Sequence, residues 1–207
     1  MRADAIRNRQ RLIEVTVDLV LEVGGEPSRD AIAERAGVGI GTLYRHFPEQ
    51  QALLHAAIRH VLERSISAGE SLVDALSDGV EVLRQYMHVA LDNGIGAVNI
   101  IHPLLENRDW PDLRARAAKL MKALVAGAAR DGVLRDDFSE RDIVFALTRF
   151  ARPLAIGLPP EDERKLAHRH LDFYIDGLCA GGVGKKGGRG SEDVQEQNST
   201  ADTNRAT

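Results

Sequence analysis

The sequence predicts an all-α fold of about nine helices. Apolar residues recur at three- and four-residue spacing through most of the chain, which is the pattern of a helix with one buried face. Glycines, prolines and capping residues interrupt this pattern, and each interruption is followed by another helical repeat. The chain has 207 residues, 43% of them hydrophobic, so it can bury a substantial core.

Four helices are predicted in the first part of the chain. The first carries an apolar stripe from Ile6 to Val23 and ends at Gly24-Gly25, where glycine favours a helix stop. The second begins at Ser28, a good N-cap. The remaining boundaries are the turn Gly37-Val38-Gly39, a third helix from Ile40 to Phe47, and Pro48-Glu49 at the start of a long fourth helix.

The second part continues with helices that turn residues separate. Ser139 and Asp142 open a helix with an apolar pattern that extends to Leu154, and Pro153 should kink it or end it near Arg152. Pro160 opens the last helix. The other turn signals are Asp78-Gly79 with Glu81 at capping-box spacing, Asn93-Gly94, Trp110-Pro111 and Gly132.

The chain is predicted to have three regions, residues 1–47, 48–179 and 180–207, and composition marks the last boundary. The last region is rich in glycine and polar residues and has too little apolar surface to order itself. We therefore expect it to be a disordered tail.

Charge and cysteine content narrow the classes of protein. The net charge is −4, so bulk charge does not indicate a nucleic-acid partner. The single cysteine, Cys179, can form no internal disulfide, and neither a metal site nor a cofactor is predicted. The sequence has no secretory signal and no apolar run of about 20 residues, the length of a membrane span, so we expect a cytoplasmic protein.

The most informative segment is residues 31–47, AIAERAGVGIGTLYRHF. Two short helices joined by a three-residue turn with glycine at its first position form a helix-turn-helix, and Ala33 is small enough for the second helix to cross close to the first. Helical spacing places Leu43 and Phe47 on the buried side of the second helix, with Val38. The exposed side then presents polar side chains to the major groove of DNA, namely Thr42, Tyr44, Arg45 and His46.

Other chemistries fit the sequence poorly. Gly37, Gly39 and Gly41 superficially resemble a dinucleotide-binding loop, but that loop follows a strand, whereas residues 32–36 form a helical segment. The GGVGKKGG segment lacks the Ser or Thr that follows a Walker A lysine. No G-x-S-x-G, H-E-x-x-H or recurring Glu-x-x-His pattern is present, so the sequence does not predict an enzyme.

Residues 31–47, together with Leu53 and Leu54, resemble the DNA-binding signature of the tetracycline-repressor (TetR) family. The shared features are two helices, an Ala-Gly-Val turn, a Thr-Leu-Tyr run and a His-Phe pair at fixed offsets. The resemblance implies three groups of DNA contacts. These are Thr42, Tyr44 and His46 at the sugar-phosphate backbone, Gly39, Ile40, Gly41 and Arg45 near base edges, and Ser28 and Arg29 at phosphate.

Two features depart from the family pattern. Gln50 stands where the family often has Lys or Arg, and residues 39–41 offer few hydrogen bonds to bases, so thymine methyls and DNA shape would carry part of the specificity. Arg45 can pair bidentately with guanine. Taken alone, Tyr44 could instead be a core aromatic residue and His46 an interhelix hydrogen-bonding group.

A cationic arm precedes the first predicted helix. It carries several arginines against the single acid Asp4, namely Arg2, Arg7, Arg9 and Arg11. These side chains would add contacts to DNA phosphate, and a solvated, frayed terminus is the alternative.

The last two helices are the predicted homodimer interface, because a helix-turn-helix protein gains affinity when two recognition helices meet two half-sites. Their apolar stripes include Phe150, Leu154, Phe173, Tyr174 and Leu178. The alternative is that these residues face the core of their own monomer.

The helices between Leu83 and Phe150 could surround a pocket for an unidentified small-molecule effector. Its apolar lining would be Tyr86, Met87, Leu104, Leu105, Trp110, Met121, Leu124 and Phe145, and its polar anchors would be His88, Asn99, His102 and Arg149. Plain core packing and internal hydrogen bonding are the alternatives for these residues.

Together, these features predict a transcriptional regulator with a DNA-binding domain at residues 1–47 and an effector-binding and dimerisation domain at residues 48–179. It would be a repressor that binds a palindromic operator as a homodimer and is released by its effector. The alternative is an effector-independent architectural or constitutive DNA-binding protein, which would share the helix-turn-helix and differ in the second domain.

Overall fold

The computed structural model describes residues 2–105, 110–132, 134–135, 137–154 and 157–183. Within these residues the chain forms nine α-helices and no strand, which confirms the all-α prediction. The helices are α1 (Arg2–Val23), α2 (Arg29–Ala36), α3 (Ile40–His46), α4 (Gln50–Ala75), α5 (Gly79–Asp92), α6 (Ile95–Ile101), α7 (Pro111–Arg130), α8 (Glu140–Phe150) and α9 (Pro160–Val183), with a short 3-10 helix at His102–Leu104.

The ends of α2 confirm the predicted capping. The Ser28 side chain accepts a hydrogen bond from the Ala31 N–H at 3.2 Å, which satisfies a donor of the first turn. Gly37 has φ of 65°, a left-handed conformation that favours glycine, and the N–H of Val38 then bonds back to the Ala33 carbonyl at 3.0 Å. The predicted three-residue turn to α3 follows directly.

Three clusters of buried side chains hold the helices together. The first joins α1, α2, α3 and the start of α4 through residues that include Leu12, Ile32, Leu43 and Leu53. The second joins the other side of α1 to α4 and α6 and includes Val17, Val20, Leu54, Ala97 and Ile101. The third and largest joins α4, α5, α7, α8 and α9 and includes Ile66, Leu83, Leu124, Ile143 and Leu171. Helix α1 therefore contributes to two cores.

Glycine permits close helix contacts at two points. A Cβ on Gly79, at the start of α5, would lie 2.2 Å from the carbonyl oxygen of Gly127 in α7. A Cβ on Gly96, in α6, would lie 2.0 Å from the carbonyl oxygen of Ala151 at the end of α8. Any larger residue would force the helices apart at these crossings.

Several predicted details at the start of the chain are wrong. Helix α1 begins at Arg2, so the arginine segment is part of the helix and not an arm ahead of it. Ile6 and Val23 are 66% and 64% exposed, so they lie off the buried stripe. Their positions at the two ends of α1 carry them past the helices that cover its middle.

From α5 onward, the predicted helix boundaries are partly confirmed and partly wrong. Helix α8 ends at Phe150, with Ala151 as its C-cap, so Leu154 lies beyond it, as the restriction before Pro153 favours. Asp78 caps α5 by accepting from the Glu81 N–H, the N-cap half of the predicted capping box. Helix α9 extends to Val183, so the disorder predicted from residue 180 is wrong for residues 180–183; a helix that is already formed adds further residues without a new nucleation step. Residues 184–207 lie outside the described part of the chain.

Among the helices of the described residues, none combines the length and apolar character that crossing a membrane requires.

Candidate nucleic-acid interface

Helix α3 has one buried side and one exposed side. Leu43 is fully buried and Phe47, its C-cap, is 2% exposed, and both pack in the cluster that α1 and α2 share. The opposite side exposes Ile40, Gly41, Tyr44 and Arg45, while Thr42, Val38 and His46 are half-buried. The burial predicted for Leu43 and Phe47 is confirmed, and Tyr44 is not a core aromatic residue.

Arg29 fixes the end of α3 to the start of α2. Its guanidinium donates hydrogen bonds to the carbonyl of Phe47 and, at 2.8 Å, to that of Pro48. The same guanidinium lies over the Tyr44 ring, 4.3 Å from the ring centre, as a cation–π pair does. Sequence spacing did not reveal this contact, which spans 18 and 19 residues and follows no helical period. The phosphate contact suggested for Arg29 stays a prediction. In the structure its guanidinium bonds to two backbone carbonyls and holds the start of α2 against the end of α3.

Arg45 lies folded along the exposed face of its own helix. Its Nε donates to the Gly41 carbonyl at 3.1 Å, and a terminal nitrogen donates to the Thr42 hydroxyl at 3.1 Å. Both contacts are exposed, so the side chain can leave them for a base edge at little cost. Gly39, the N-cap of α3, and Gly41 have open space where a Cβ would lie, so the backbone is unobstructed at these positions.

Gln50 makes a hydrogen bond within the fold. Its side-chain amide donates to the Pro27 carbonyl at 3.1 Å, linking the start of α4 to the segment before α2. At the position where the family often has Lys or Arg, this chain therefore has a hydrogen bond between a helix and a loop. Ser28, which follows Pro27, is exposed and holds its cap bond to Ala31.

The arginines at the start of α1 have different surroundings. Arg7 pairs with Asp4 on the same helix, and the Arg9 guanidinium lies 5.0 Å from the centre of the Phe47 ring. Arg11 is exposed close to Gly37 in the turn. The side chain of Arg2 lies outside the described residues.

An ion pair joins α2 to α1. Arg35 donates to both carboxylate oxygens of Glu22, at 3.0 and 2.8 Å. The hydrogen bond from Arg35 lowers the pKa of Glu22 below its usual range. Because both side chains are largely solvent-exposed, the pair orients α2 more than it stabilises the fold.

The residues predicted to line an effector pocket are divided between the cores and the outer surface, and two of them, Met121 and Phe145, line an open cavity of about 530 Å³ between α7 and α8. Tyr86, Met87 and Met121 pack with Leu124 in the third core, and burial raises the pKa of Tyr86 to about 12. Leu105 belongs to the second core. Leu104 is 42% exposed and Phe145 is 61% exposed, because they lie on outer faces of their elements. Arg149 is exposed as well.

The predicted polar anchors are also separated. His88 joins α5 to α9, through His168 at 2.6 Å and Asp172 at 3.0 Å. His102 and Trp110 lie in another group with His55 of α4, and Asn99 is half-buried on α6. The apolar pattern identified buried positions but not which of them face one another.

The predicted dimer stripe divides into two sets. Phe150, Tyr174 and Leu178 pack against the third core, with the Phe150 and Tyr174 rings 5.8 Å apart. Phe173 and Leu154 are 63% and 52% exposed. The exposed set continues on α8 with Val144 and Phe145, so α8 and α9 present apolar side chains outward.

The structure also contains a cleft that the sequence did not predict. It measures about 700 Å³ and lies between α1, α4, the α5–α6 turn, the end of α8 and the start of α9. Arg149 is the one predicted pocket residue that lines it. Its walls come from segments far apart in sequence, so no local motif could have indicated it.

Comparison with known proteins places these features in context. Residues 12–57 match the family described as bacterial regulatory proteins, tetR family. An HTH-type transcriptional regulator of Staphylococcus aureus is 35% identical over 103 residues, which are 49% of this chain and 56% of that protein. The chain thus spans about half the length of the curated relatives that it matches.

Two solved structures are similar over most of the chain. A TetR transcriptional regulator of Streptomyces coelicolor is 29% identical, with 83% of this chain and 98% of the other covered and a TM-score of 0.60. A TetR transcription regulatory protein of Mycobacterium vanbaalenii is 30% identical, with 86% and 98% covered and a TM-score of 0.59.

Proposed function

The chain belongs to the TetR family of bacterial regulatory proteins, and from this membership we propose that it is a DNA-binding transcriptional regulator. We propose further that it is a repressor, that it binds a palindromic operator as a homodimer, and that a small-molecule effector releases it.

The two-sided character of α3 is the observation that carries the DNA-binding proposal. Leu43 and Phe47 anchor the helix in the core, and Arg29 fixes its end, so its orientation is set before DNA arrives. The face left outward is the one that enters the major groove in a helix-turn-helix complex. Such pre-orientation reduces the entropy lost on binding.

Base readout and backbone anchoring fall to different residues. Arg45 is the side chain able to form a bidentate pair with guanine, and its present contacts are exposed and easily exchanged. Thr42, Tyr44 and His46 would hold phosphates and fix the register, together with Ser28. Residues 39–41 would approach base edges, with Ile40 placed to contact a thymine methyl.

The outward apolar residues of α8, of α9 and of the segment between them support a homodimer. Phe145, Phe173 and Leu154 are each more than half exposed, and burying them against a second copy would remove large apolar surfaces from water. A two-fold axis there would present two α3 helices to two half-sites.

An effector would act through differential affinity for two arrangements of the recognition helices. A ligand that prefers the arrangement with misplaced helices weakens DNA binding by the same factor by which DNA weakens ligand binding. The close packing of the predicted pocket residues Tyr86 and Met87 in the third core favours the effector-independent alternative.

Selection of bound DNA from a random-sequence pool tests the proposal. We expect a palindrome. The centres of its half-sites should lie about 34–36 Å apart, which is one turn of DNA, or a multiple of that distance apart. Arg45→Ala should relax the preference at one symmetric pair of positions and weaken binding by about 1–3 kcal/mol. Arg130→Ala, at an exposed arginine on α7, is the matched control and should change neither. Failure to enrich any sequence would refute the function, and uniform weakening would place Arg45 on phosphate.

A further inference from the structure

We propose that the cleft of about 700 Å³ between α1, α4, α8 and α9 is a binding site for a small organic anion, a carboxylate or phosphate on a compact apolar body. The volume lies within the roughly 300–1,000 Å³ of small-molecule sites. Its regulatory consequence rests on the proposed function, whereas the site itself stands on the geometry of the cleft.

The cleft is rich in hydrogen-bond donors that have no protein partner. Arg64 of α4, Arg149 of α8, Arg152 after α8 and Arg164 of α9 all line it. Within the described residues, none of these four guanidiniums forms a hydrogen bond or an ion pair. Each offers the planar, paired N–H groups that match a carboxylate or a phosphate.

The acidic residues of the same cleft are already satisfied, with one exception. Four of them accept bonds from protein donors: Glu14 from Gln10 at 2.8 Å, Glu22 from Arg35 at 2.8 Å, Asp92 from His168 at 2.9 Å and Glu163 from the Leu154 N–H at 3.3 Å. Asp18 is the exception: burial and nearby Glu22 raise its pKa, whereas the charges of Arg164 and Arg35 lower it, so Asp18 interacts electrostatically with Arg164. Within the described residues, the solvent-exposed guanidiniums of Arg64, Arg149 and Arg152 have neither a hydrogen bond nor an ion pair and can turn to a bound group, which favours an anion over a cation.

Apolar side chains line the remaining surface. Val17 and Leu21 come from α1, and Leu91, Phe150 and Leu166 come from α5, α8 and α9. A bare inorganic ion would leave this surface in contact with water. An anion with a compact apolar body would cover it while its charged group meets the arginines.

The position of the cleft couples it to DNA. Helix α1 packs against α2 and α3, whereas α8 and α9 carry the outward apolar surface proposed for the dimer. A ligand that contacts both walls favours one separation of α1 from α9. Operator DNA and ligand then change each other's affinity by the same factor.

Isothermal titration calorimetry of the full chain with benzoate and with phenyl phosphate tests the assignment, with benzyl alcohol as the neutral counterpart. We expect at least one of the two anions to bind, which also distinguishes carboxylate from phosphate, and benzyl alcohol not to bind. The double variant Arg152→Gln, Arg164→Gln should weaken anion binding at least tenfold. Arg130→Gln should leave it unchanged, and circular dichroism should show both variants folded.

Three results would overturn the site: no heat from either anion at millimolar concentration, equal binding of benzyl alcohol, or full affinity in the double variant. Operator binding with and without the bound anion is the separate readout. An anion that binds to a chain which selects no DNA would refute the proposed function and leave the site standing. DNA selection without anion binding would do the reverse.

Discussion

Replacing Gly96 by alanine should destabilise the protein, although alanine is the better helix former. The added Cβ would lie 2.0 Å from the carbonyl oxygen of Ala151, 2.8 Å from its carbonyl carbon and 3.2 Å from a Leu21 methyl. The two closest atoms are backbone and cannot rotate away. Helix α6 and the end of α8 must therefore separate by roughly 1 Å or more to restore ordinary contact.

The net effect follows from two opposing terms. Overpacking of a closed interface costs about 1–3 kcal/mol, and the change from glycine to alanine in a helix returns at most about 1 kcal/mol. We expect a net loss of about 1–2 kcal/mol in the free energy of unfolding. For a chain of this size that loss lowers Tm by about 2–8 °C.

Thermal unfolding followed by circular dichroism measures this change. Gly41→Ala in α3 is the matched control, because a Cβ there meets nothing within 4 Å. It should raise the free energy of unfolding by up to about 1 kcal/mol. Equal or greater stability of Gly96→Ala, or an equal loss in the control, would refute the packing argument.

Three further predictions concern the DNA-binding helices. The Cβ added by Gly41→Ala meets no neighbour within 4 Å, so the free energy of unfolding should hold or rise by up to about 1 kcal/mol. DNA affinity should fall. Unchanged affinity in a fluorescence anisotropy titration would place Gly41 outside the interface. Tyr44→Phe keeps the ring beneath Arg29, so it should retain stability but lose DNA affinity. Tyr44→Ala should lose DNA affinity and also about 0.5–1 kcal/mol of stability in urea unfolding. Equal stability of the two variants would count against the stacking of Arg29 on the ring. Because the hydrogen bond from Arg35 lowers the pKa of Glu22 from 4.5, the pair's contribution is present above that value and is lost as pH falls through the lower folded pKa. Wild type should therefore lose more stability on acidification than Glu22→Gln, and identical pH profiles in urea unfolding would contradict this.

Local chemistry explains which features the sequence could predict. The ends of α2 depend on Ser28 and Gly37, whose bonds reach only residues three or four positions away. Burial of Leu43 and Phe47 follows from their spacing on one helix face. Information of this kind lies within a few residues of the chain.

Tertiary contacts explain what the sequence could not predict. An apolar stripe shows that Tyr86 and Leu105 are buried, but not that they belong to different cores. Arg29 and Gln50 reach carbonyls 18 to 23 residues away, with no periodic signal to mark the pairing. The cleft needs five separate segments to meet, which is a property of the assembled fold.

The two cores of α1 limit how this regulator can be recombined with others. A chimera cut after residue 47 would lose Leu53, which completes the first core with Leu12 and Leu43, and would leave Val17 and Val20 facing whatever helices the new partner supplies. A working graft must therefore carry the first turns of α4 and match the surface of α6. The unit that can be transplanted between regulators is longer than the helix-turn-helix, and its outer limit is set by the far side of the first helix.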